Sequence, residues 1–459
     1  MTDILKEPAG RKKIYERPEL LYLILATVFS IAFMVIFSPW NSVDGPTHFM
    51  AGYRYSNILM GLPEWSVRGT DQDVVSESIH YGSFSWVTEN FELFSNDNTL
   101  ADDASSYKYM DYYNAFNYLP FIAAILIGRL LHLGIFPIGY LGRIFSAALY
   151  IFLFYRAIKT TPAGKHIFTF LALFPMTIHL ITSYTYDSAV LAVTFNFFAC
   201  FFRIRSQKTI KWDKYLFELL IWCVALGLVK GGAYAGLLLL LVAFLDKKNS
   251  CRANLTVIFL IVAGLIALLC SNMLFNPSEE YFQFQSAEVN NHEFSFFFKH
   301  PGKYFILWIN TIKAYCFPWL FEAIGSNVGF WQTFVASSLP FILLMLIPTF
   351  AAGYFGSADE DSILDKKLLI ITIIVSLVFL YITPATVLRN NAVTNTEIDY
   401  CTGRYFLPRY PLVFLVIVSL FSKPKNEKIK KWIIPASYAV YAVLMCCVAF
   451  TYGQSFFFG

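Results

Sequence analysis

"LLYLILATVFSIAFMVIFSPWNSVDGPTHF", residues 20–49, sets the reading of the whole chain. Its opening run, Leu20 to Phe37, carries no charge, and a helix needs roughly 20 such residues to cross hydrocarbon. The continuation breaks into Ser, Pro and Asn and then presents Asp44 and His48, with Arg54 close behind. Ionisable groups at the mouth of a membrane span are costly unless they are solvated or paired. The stretch is therefore a span followed at once by a concentration of polar chemistry.

Composition agrees. Of the 459 residues, 57% are hydrophobic and 14% charged, with a mean hydropathy of +0.54; soluble domains carry about 25% charged residues. Such a chain is short of solubilising surface, and an all-α polytopic membrane protein is expected. The first run is longer than a signal-peptide core and lacks a small-x-small exit, so it is expected to remain as a span. A net charge of +4 gives no reason to expect nucleic acid. Eight cysteines show neither zinc-like nor disulfide-like spacing and read as small packing residues.

Apolar runs at 20–37, 140–156, 167–183, 187–202, 215–229, 231–245, 253–275, 333–355, 368–388, 404–421 and 432–452 predict about eleven spans. Between 215 and 245 the sequence allows two readings, a hairpin turning at Lys230-Gly231-Gly232 or one broken helix. Most of the 35 Lys and Arg collect in short segments such as "RKKIYER" (11–17), "RIRSQKTIKWDK" (203–214) and "SKPKNEKIKKW" (422–432). The positive-inside rule then puts the N-terminus in the cytoplasm. Two long segments, 38–139 and 276–332, fall on the outer side. "YLPFIAAILIGRLLHLGIF" (118–136) is apolar enough to cross, but crossing would invert every later loop, so an interfacial helix is expected there. The same reading applies to "KYFILWINTIKAYCFPWLF" (303–321). With neither an internal repeat nor a low-complexity linker, residues 1–459 are expected to form a single membrane domain.

Asp44 and His48 are spaced i, i+4 and share a face if a helix starts here. Asp44 suits an N-cap, with Pro46 in the first turn; a carboxylate in that place can also take a proton from a hydroxyl. Arg143, Lys230, Arg404 and Arg409 all lie at or near outer span ends. Each alone could snorkel to headgroups, but four on one side make a set, and arginine suits phosphate. Asp187 opens a span on that side and can cap its helix or pair with one of these cations. "TDQDV" supplies Asp71 and Asp73 at a D-x-D spacing, which either binds a metal or is a chance pair in a loop. "ADEDS" (358–362) reads as a solvated charge run. The chain contains no H-E-x-x-H and no Walker A motif.

Several blocks, taken in order, resemble a known family. They are "SVDGPTHF" (42–49), "YNAFNYLPFIAAILIGRLL" (113–131), "YLGRIFSAALY" (140–150), "LFPMTIHLITSYTYDSAV" (173–190), "LVKGGAYAGLLLLL" (228–241) and "TGRYFLPRYPL" (402–412). Together they resemble the bacterial membrane proteins grouped as domain of unknown function 2142, over about residues 36–421; members of that family resemble GT-C integral-membrane glycosyltransferases. Two departures stand out. The family's acidic pair is here Asp44-Gly45, and "GFWQTFVASSLP" (329–340) lacks an expected Asp.

The resemblance implies an enzyme of the bacterial plasma membrane that takes a sugar from a polyprenyl-phosphate donor and passes it to an extracytoplasmic cell-envelope glycan. Asp44 would be the catalytic base. His48 and Arg54 would orient the acceptor or the base, and Arg404, with Arg143 and Lys230, would hold the donor phosphate, with Asp187 beside them. No cofactor is implied, and the need for a divalent metal stays open. Rival readings are a polysaccharide or lipid-linked-sugar transporter or flippase, a polysaccharide polymerase or ligase, and an inactive paralogue.

Overall fold

A computed structural model describes residues 14–42, 44–68, 71, 100–101, 114–207, 210–246, 250–274, 291–328, 331–332, 338–356, 365–421 and 427–458. Helix α1 (Pro18–Ile36) shows how the chain meets lipid. Tyr22, Ala26, Phe29, Phe33 and Ile36 face inward, while Ile24, Val28, Ile31 and Val35 form an exposed apolar stripe on the other side. An apolar stripe left uncovered by protein at helical spacing is the face that hydrocarbon covers.

Among the described residues eight helices are long and apolar enough to cross a membrane. They are α1, then, after the shorter α2 (Gly45–Met60) and α3 (Leu119–Leu130), helix α4 (Ile135–Thr160). Beyond the short pair α5 (Lys165–Ala172) and α6 (Pro175–Ile181) come α7 (Asp187–Ser206), α8 (Lys214–Leu228) and α9 (Cys251–Leu274). After α10 (Pro301–Ile324) follow α11 (Leu339–Gly356) and α12 (Lys366–Ile382), then the short α13 (Tyr410–Ser419) and finally α14 (Glu427–Phe458). The all-α polytopic expectation holds; among the described residues eight of the expected segments are single long helices and three are interrupted.

Two of the three interruptions have a visible cause in proline. Residues 167–183 divide because Pro175, with no N–H to continue the ladder, starts a second helix. Residues 404–421 become two tight turns, Gly403–Tyr405 and Leu407–Arg409, ahead of α13, with Pro408 and Pro411 at first-turn positions. Residues 235–244 wind as a 3-10 helix. Of the two readings left open at 215–245, the hairpin is the one observed. Lys230, Gly231 and Gly232 all have positive φ, and the chain then runs back along α8, since Leu238 and the carbonyl of Cys223 meet the same glycine, Gly264.

The run at 118–136 does not cross as one helix. α3 has 12 residues, about 18 Å of rise, and α4 begins within the run at Ile135, earlier than expected. α3 docks on α2 through the buried Arg129, whose Nη1 donates to Ser56 Oγ (2.9 Å) and Asn57 Oδ1 (2.6 Å). α10 has 24 residues, long enough to span, but it is not among the helices apolar enough to do so. Short antiparallel pairs join Val67–Arg68 to Leu100–Ala101 and Asn327–Val328 to Trp331–Gln332.

The bundle is built round α7, which is 94% buried, against 28% for α9. Phe195, Phe197, Phe198, Phe201 and Phe202 all point into protein. Arg143 ties α4 to the end of α1. Its guanidinium donates to the carbonyls of Phe33 (3.0 Å), Met34 (3.1 Å), Phe37 (2.6 Å) and Thr182 (2.5 Å). Three of these belong to the last turn of α1 and its cap, where helix carbonyls lack partners of their own. Replacement of Arg143 by Ala leaves these buried carbonyls unsatisfied, at a cost of about 1–3 kcal/mol for each that water does not reach. Lys should recover less than half of that, because an ammonium cannot serve four divergent carbonyls. Thermal unfolding in detergent measures this, and an unchanged midpoint for Arg143→Ala would refute the latch.

Candidate functional site

Four breaks in regular structure meet at one end of the bundle. They are the start of α2, the start of α7, the turn after α8, and the turn Gly403–Tyr405. α7 begins at Asp187 because Thr185 Oγ1 accepts from its backbone N–H (3.1 Å). Lys230 sits in the left-handed region (φ 47°, ψ 45°), a conformation costly for a side chain that has a Cβ. Its N–H donates to Asn117 Oδ1 at 2.8 Å, which fixes the turn. Gly403 is required for a different reason: a Cβ there would lie 1.9 Å from the carbonyl oxygen of Trp319. Its N–H donates to Glu322 Oε2 (2.7 Å), so the turn carrying Arg404 is pressed against the end of α10.

These constraints converge on one carboxylate. Lys230 Nζ donates to Asp187 Oδ1 at 3.1 Å, and Arg404 Nε lies 3.2 Å from Asp187 Oδ2. All three side chains are buried, with exposures of 7–11%. The Arg404 contact is ionic but off-line for a hydrogen bond, so Nε is buried without an acceptor. Lys230 Nζ also stands 3.8 Å from the Tyr405 ring centroid and 4.6 Å from that of Tyr186. Within the triad two cations share one carboxylate in a low-dielectric place, with Glu322 the next carboxyl within electrostatic reach of Arg404. That arrangement is poised for a further anion.

His48 lies beside the triad, its ring 4.6 Å edge-on to Tyr186, with Nδ1 buried and unpartnered. Burial pushes its pKa down to about 4, against the pull of Asp44 and Asp187 and with the help of Arg404 and Lys230. The imidazole is therefore neutral near pH 7. Asp44 occupies the N-cap position of α2 in a left-handed conformation (φ 61°, ψ 17°), yet its side chain makes no capping hydrogen bond and is exposed. Of the two roles the sequence allowed, capping is not the one observed. Behind the triad a cavity of about 50 Å³ is lined by Ser42, His179, Thr185, Glu322, Thr402 and Arg404, among others. His179 Nε2 and Thr402 Oγ1 are buried there without hydrogen-bond partners. Burial pushes the Glu322 carboxyl above its usual range.

Asp44, His48, Asp187, Lys230 and Arg404 thus share one electrostatic neighbourhood. Two expected members do not join it. Arg54 lies six residues beyond His48, about 240° round the helix; it pairs with Glu64 and faces Trp65 (5.1 Å). Arg143 is committed to backbone carbonyls, and a role in holding phosphate does not fit that geometry. Asp71 is buried against Arg68 (3.0 Å) and accepts from Tyr53 Oη (3.2 Å); Asp73, its D-x-D partner, is outside the described residues, as is the "ADEDS" run. Sequence reading missed His179, Glu322 and Thr402. The signal available was a histidine inside an apolar run and a threonine preceding Gly403-Arg404.

Removing Asp187 as Ala should destabilise the protein by about 3–5 kcal/mol, since two buried cations lose their counter-charge. Adding Lys230→Met to that variant should restore stability in part, although Lys230→Met alone destabilises the native protein. Unfolding midpoints of the three variants check the reversal of sign; simple additivity would overturn the triad. His48 supplies a pH test. Its folded pKa lies below its unfolded value, so its contribution is complete above about 6.5 and is lost as pH falls toward 4. Between pH 7 and 4 the native protein should lose more thermal stability than His48→Gln; parallel curves would show that His48 is not buried neutral.

Comparison with curated proteins finds no match, and comparison with solved structures finds none. A family model described as predicted membrane protein (DUF2142) matches residues 27–413, from the second half of α1 into α13 and across every residue of the triad. The chain belongs to the DUF2142 family of predicted membrane proteins.

Proposed function

We propose that the protein is a membrane glycosyltransferase of GT-C type, moving a sugar from a polyprenyl-phosphate donor to an extracytoplasmic glycan of the bacterial cell envelope. One observation carries this reading: an uncapped, exposed carboxylate, Asp44, next to a buried triad in which Lys230 and Arg404 share the single carboxylate of Asp187. Transfer from a sugar phosphate needs those two features side by side. The acceptor hydroxyl oxygen bonds to the anomeric carbon while the bond from that carbon to the phosphate oxygen breaks. The hydroxyl proton passes to Asp44 as general base. The electron pair leaves with the phosphate, whose growing negative charge is met by Lys230 and Arg404.

The roles of the remaining residues follow from protonation and packing. Neutral His48 can donate or accept one hydrogen bond to an acceptor hydroxyl without adding charge. Asp187 aims the two cations and limits their mutual repulsion. A lipid-linked donor already sits in the bilayer, which suits a cluster at the ends of apolar helices. In the orientation that belongs with this reading, the N-terminus is cytoplasmic and the Asp44 end of the bundle faces outward across the plasma membrane.

The test is transfer from radiolabelled polyprenyl-phosphate sugars to envelope glycans by purified protein. Asp44→Asn should abolish transfer, a loss of about 10²–10⁴-fold for a general base, without lowering the unfolding midpoint. Lys230→Met should depress turnover as well. Unchanged turnover in Asp44→Asn would remove that residue from the mechanism, and absence of transfer with every donor and acceptor in the panel would overturn the reading. Transfer that survives EDTA would exclude a metal-bound D-x-D.

A further inference from the structure

The cavity behind the triad has a lining that proton transfer at Asp44 and charge stabilisation at Lys230 leave unused. One face of α6 presents Met176, His179 and Leu180, at the helical spacing i, i+3 and i+4. Thr402 and Arg404 come from the turn at Gly403–Tyr405, and Glu322 from the end of α10. Among the described residues His179 Nε2 and Thr402 Oγ1 are buried with no hydrogen-bond partner, and His179 is only 2% exposed. The imidazole is held in place. Ser183 Oγ stands 3.4 Å from its Nδ1, and the Phe37 ring packs edge-on at 5.2 Å. With the Ser183 hydroxyl donating to Nδ1, Nε2 carries the proton and is a donor for whatever enters the cavity.

Size and polarity narrow that occupant. At about 50 Å³ the cavity takes about four water-sized atoms, at roughly 10–15 Å³ each. A sugar ring does not fit there; a substituent on one does. Water matches only part of the lining, because a buried water seeks about two to four polar partners and Met176 and Leu180 offer none. An acylated amine matches all of it. Its methyl group packs on Met176 and Leu180, its carbonyl oxygen accepts from His179 Nε2 and Thr402 Oγ1, and its N–H donates to Glu322. That carboxyl is already fixed as an acceptor, since Glu322 Oε2 takes the backbone N–H of Gly403 at 2.7 Å. A carboxylate substituent would instead face Glu322, a like charge at close quarters.

Position supplies the last constraint. Arg404 lines the cavity and also lies 3.2 Å from Asp187 Oδ2, so a group in the cavity is a near neighbour of anything bound at the triad. On a sugar whose anomeric carbon bears a phosphate, the nearest substituent is the one on the adjacent ring carbon. We infer that the cavity is a specificity pocket for the acetamido group of a 2-acetamido sugar, selected by His179 and Thr402. That this amino sugar is the residue transferred rests on the transferase reading; the fit of an acylamino group to the lining does not.

The test is calorimetric titration of purified full-length protein with the farnesyl phosphates of N-acetylglucosamine, glucosamine, glucose and glucuronic acid. The N-acetyl compound should bind at least about tenfold more tightly than the other three, as for a pocket that gains or loses one small group. Thr402→Val should cut this preference about fivefold, the contribution of one neutral hydrogen bond, without lowering the unfolding midpoint. The midpoint holds because the hydroxyl removed has no partner within the protein. Leu180→Phe, which fills the cavity, should abolish the preference. Equal binding of the glucose and N-acetylglucosamine compounds would overturn the pocket, as would tightest binding of the glucuronic acid compound. An unchanged preference in both variants would overturn it too. Preference for the N-acetyl compound with no transfer to any glycan would leave the pocket standing and remove the transferase reading. Transfer without that preference would remove the pocket and keep the reading, and binding of none of the four would remove both.

Discussion

The carboxylate of Asp187 is held by, and holds, two cations that come from parts of the chain far apart in sequence: Lys230 at 3.1 Å and Arg404 at 3.2 Å. Neither cation could stay in its place alone. Lys230 is on a left-handed backbone and Arg404 on a turn jammed against α10, so both positions are unfavourable locally and stable only because they converge. Asp187 can serve both because it stands at the first turn of α7, the most enclosed of the eight long helices. The same enclosure makes the electrostatics strong, since water is not there to screen them.

The bundle is arranged so that its irregular backbone gathers at this end. A membrane-spanning chain satisfies its N–H and C=O groups within helices, and breaks are tolerated only where protein or a polar cavity replaces the lost partners. Asn117 fills that role for Lys230, Glu322 for Gly403 and Arg143 for the end of α1. At the opposite end Arg156 pairs with Glu218 (2.9 Å) and donates to Asn196 Oδ1 (2.8 Å) on α7. Around the triad His48 Nδ1, His179 Nε2 and Thr402 Oγ1 are left without partners.

What the sequence disclosed was governed by charge in apolar surroundings. Asp187, Lys230 and Arg404 stood out because each interrupts or borders a hydrophobic run, and the structure brings them together. Arg143 stood out for the same reason, yet its role differs, because the carbonyls it serves are invisible in a one-letter string. Arg54 was misplaced for want of helical phase: six residues carry it away from His48. His179 and Thr402 were silent because uncharged polar groups cost little in a hydropathy window. Two of the interrupted segments have a common origin as well. A sum over apolar residues passes through Pro175 and Pro408 without registering that the N–H ladder stops there.

The link between Arg143 and α1 bears on biogenesis. α1 is synthesised before α4, and the carbonyls at its C-terminal end receive their side-chain donor from a residue more than a hundred positions later. Until α4 enters the bilayer, that end of α1 must stay where water can solvate it. α1 therefore cannot settle at its final depth before the segment that follows it has been made and α4 has entered the bilayer. An earlier helix waits for a later one, and the assembly of this end of the protein is concerted rather than sequential.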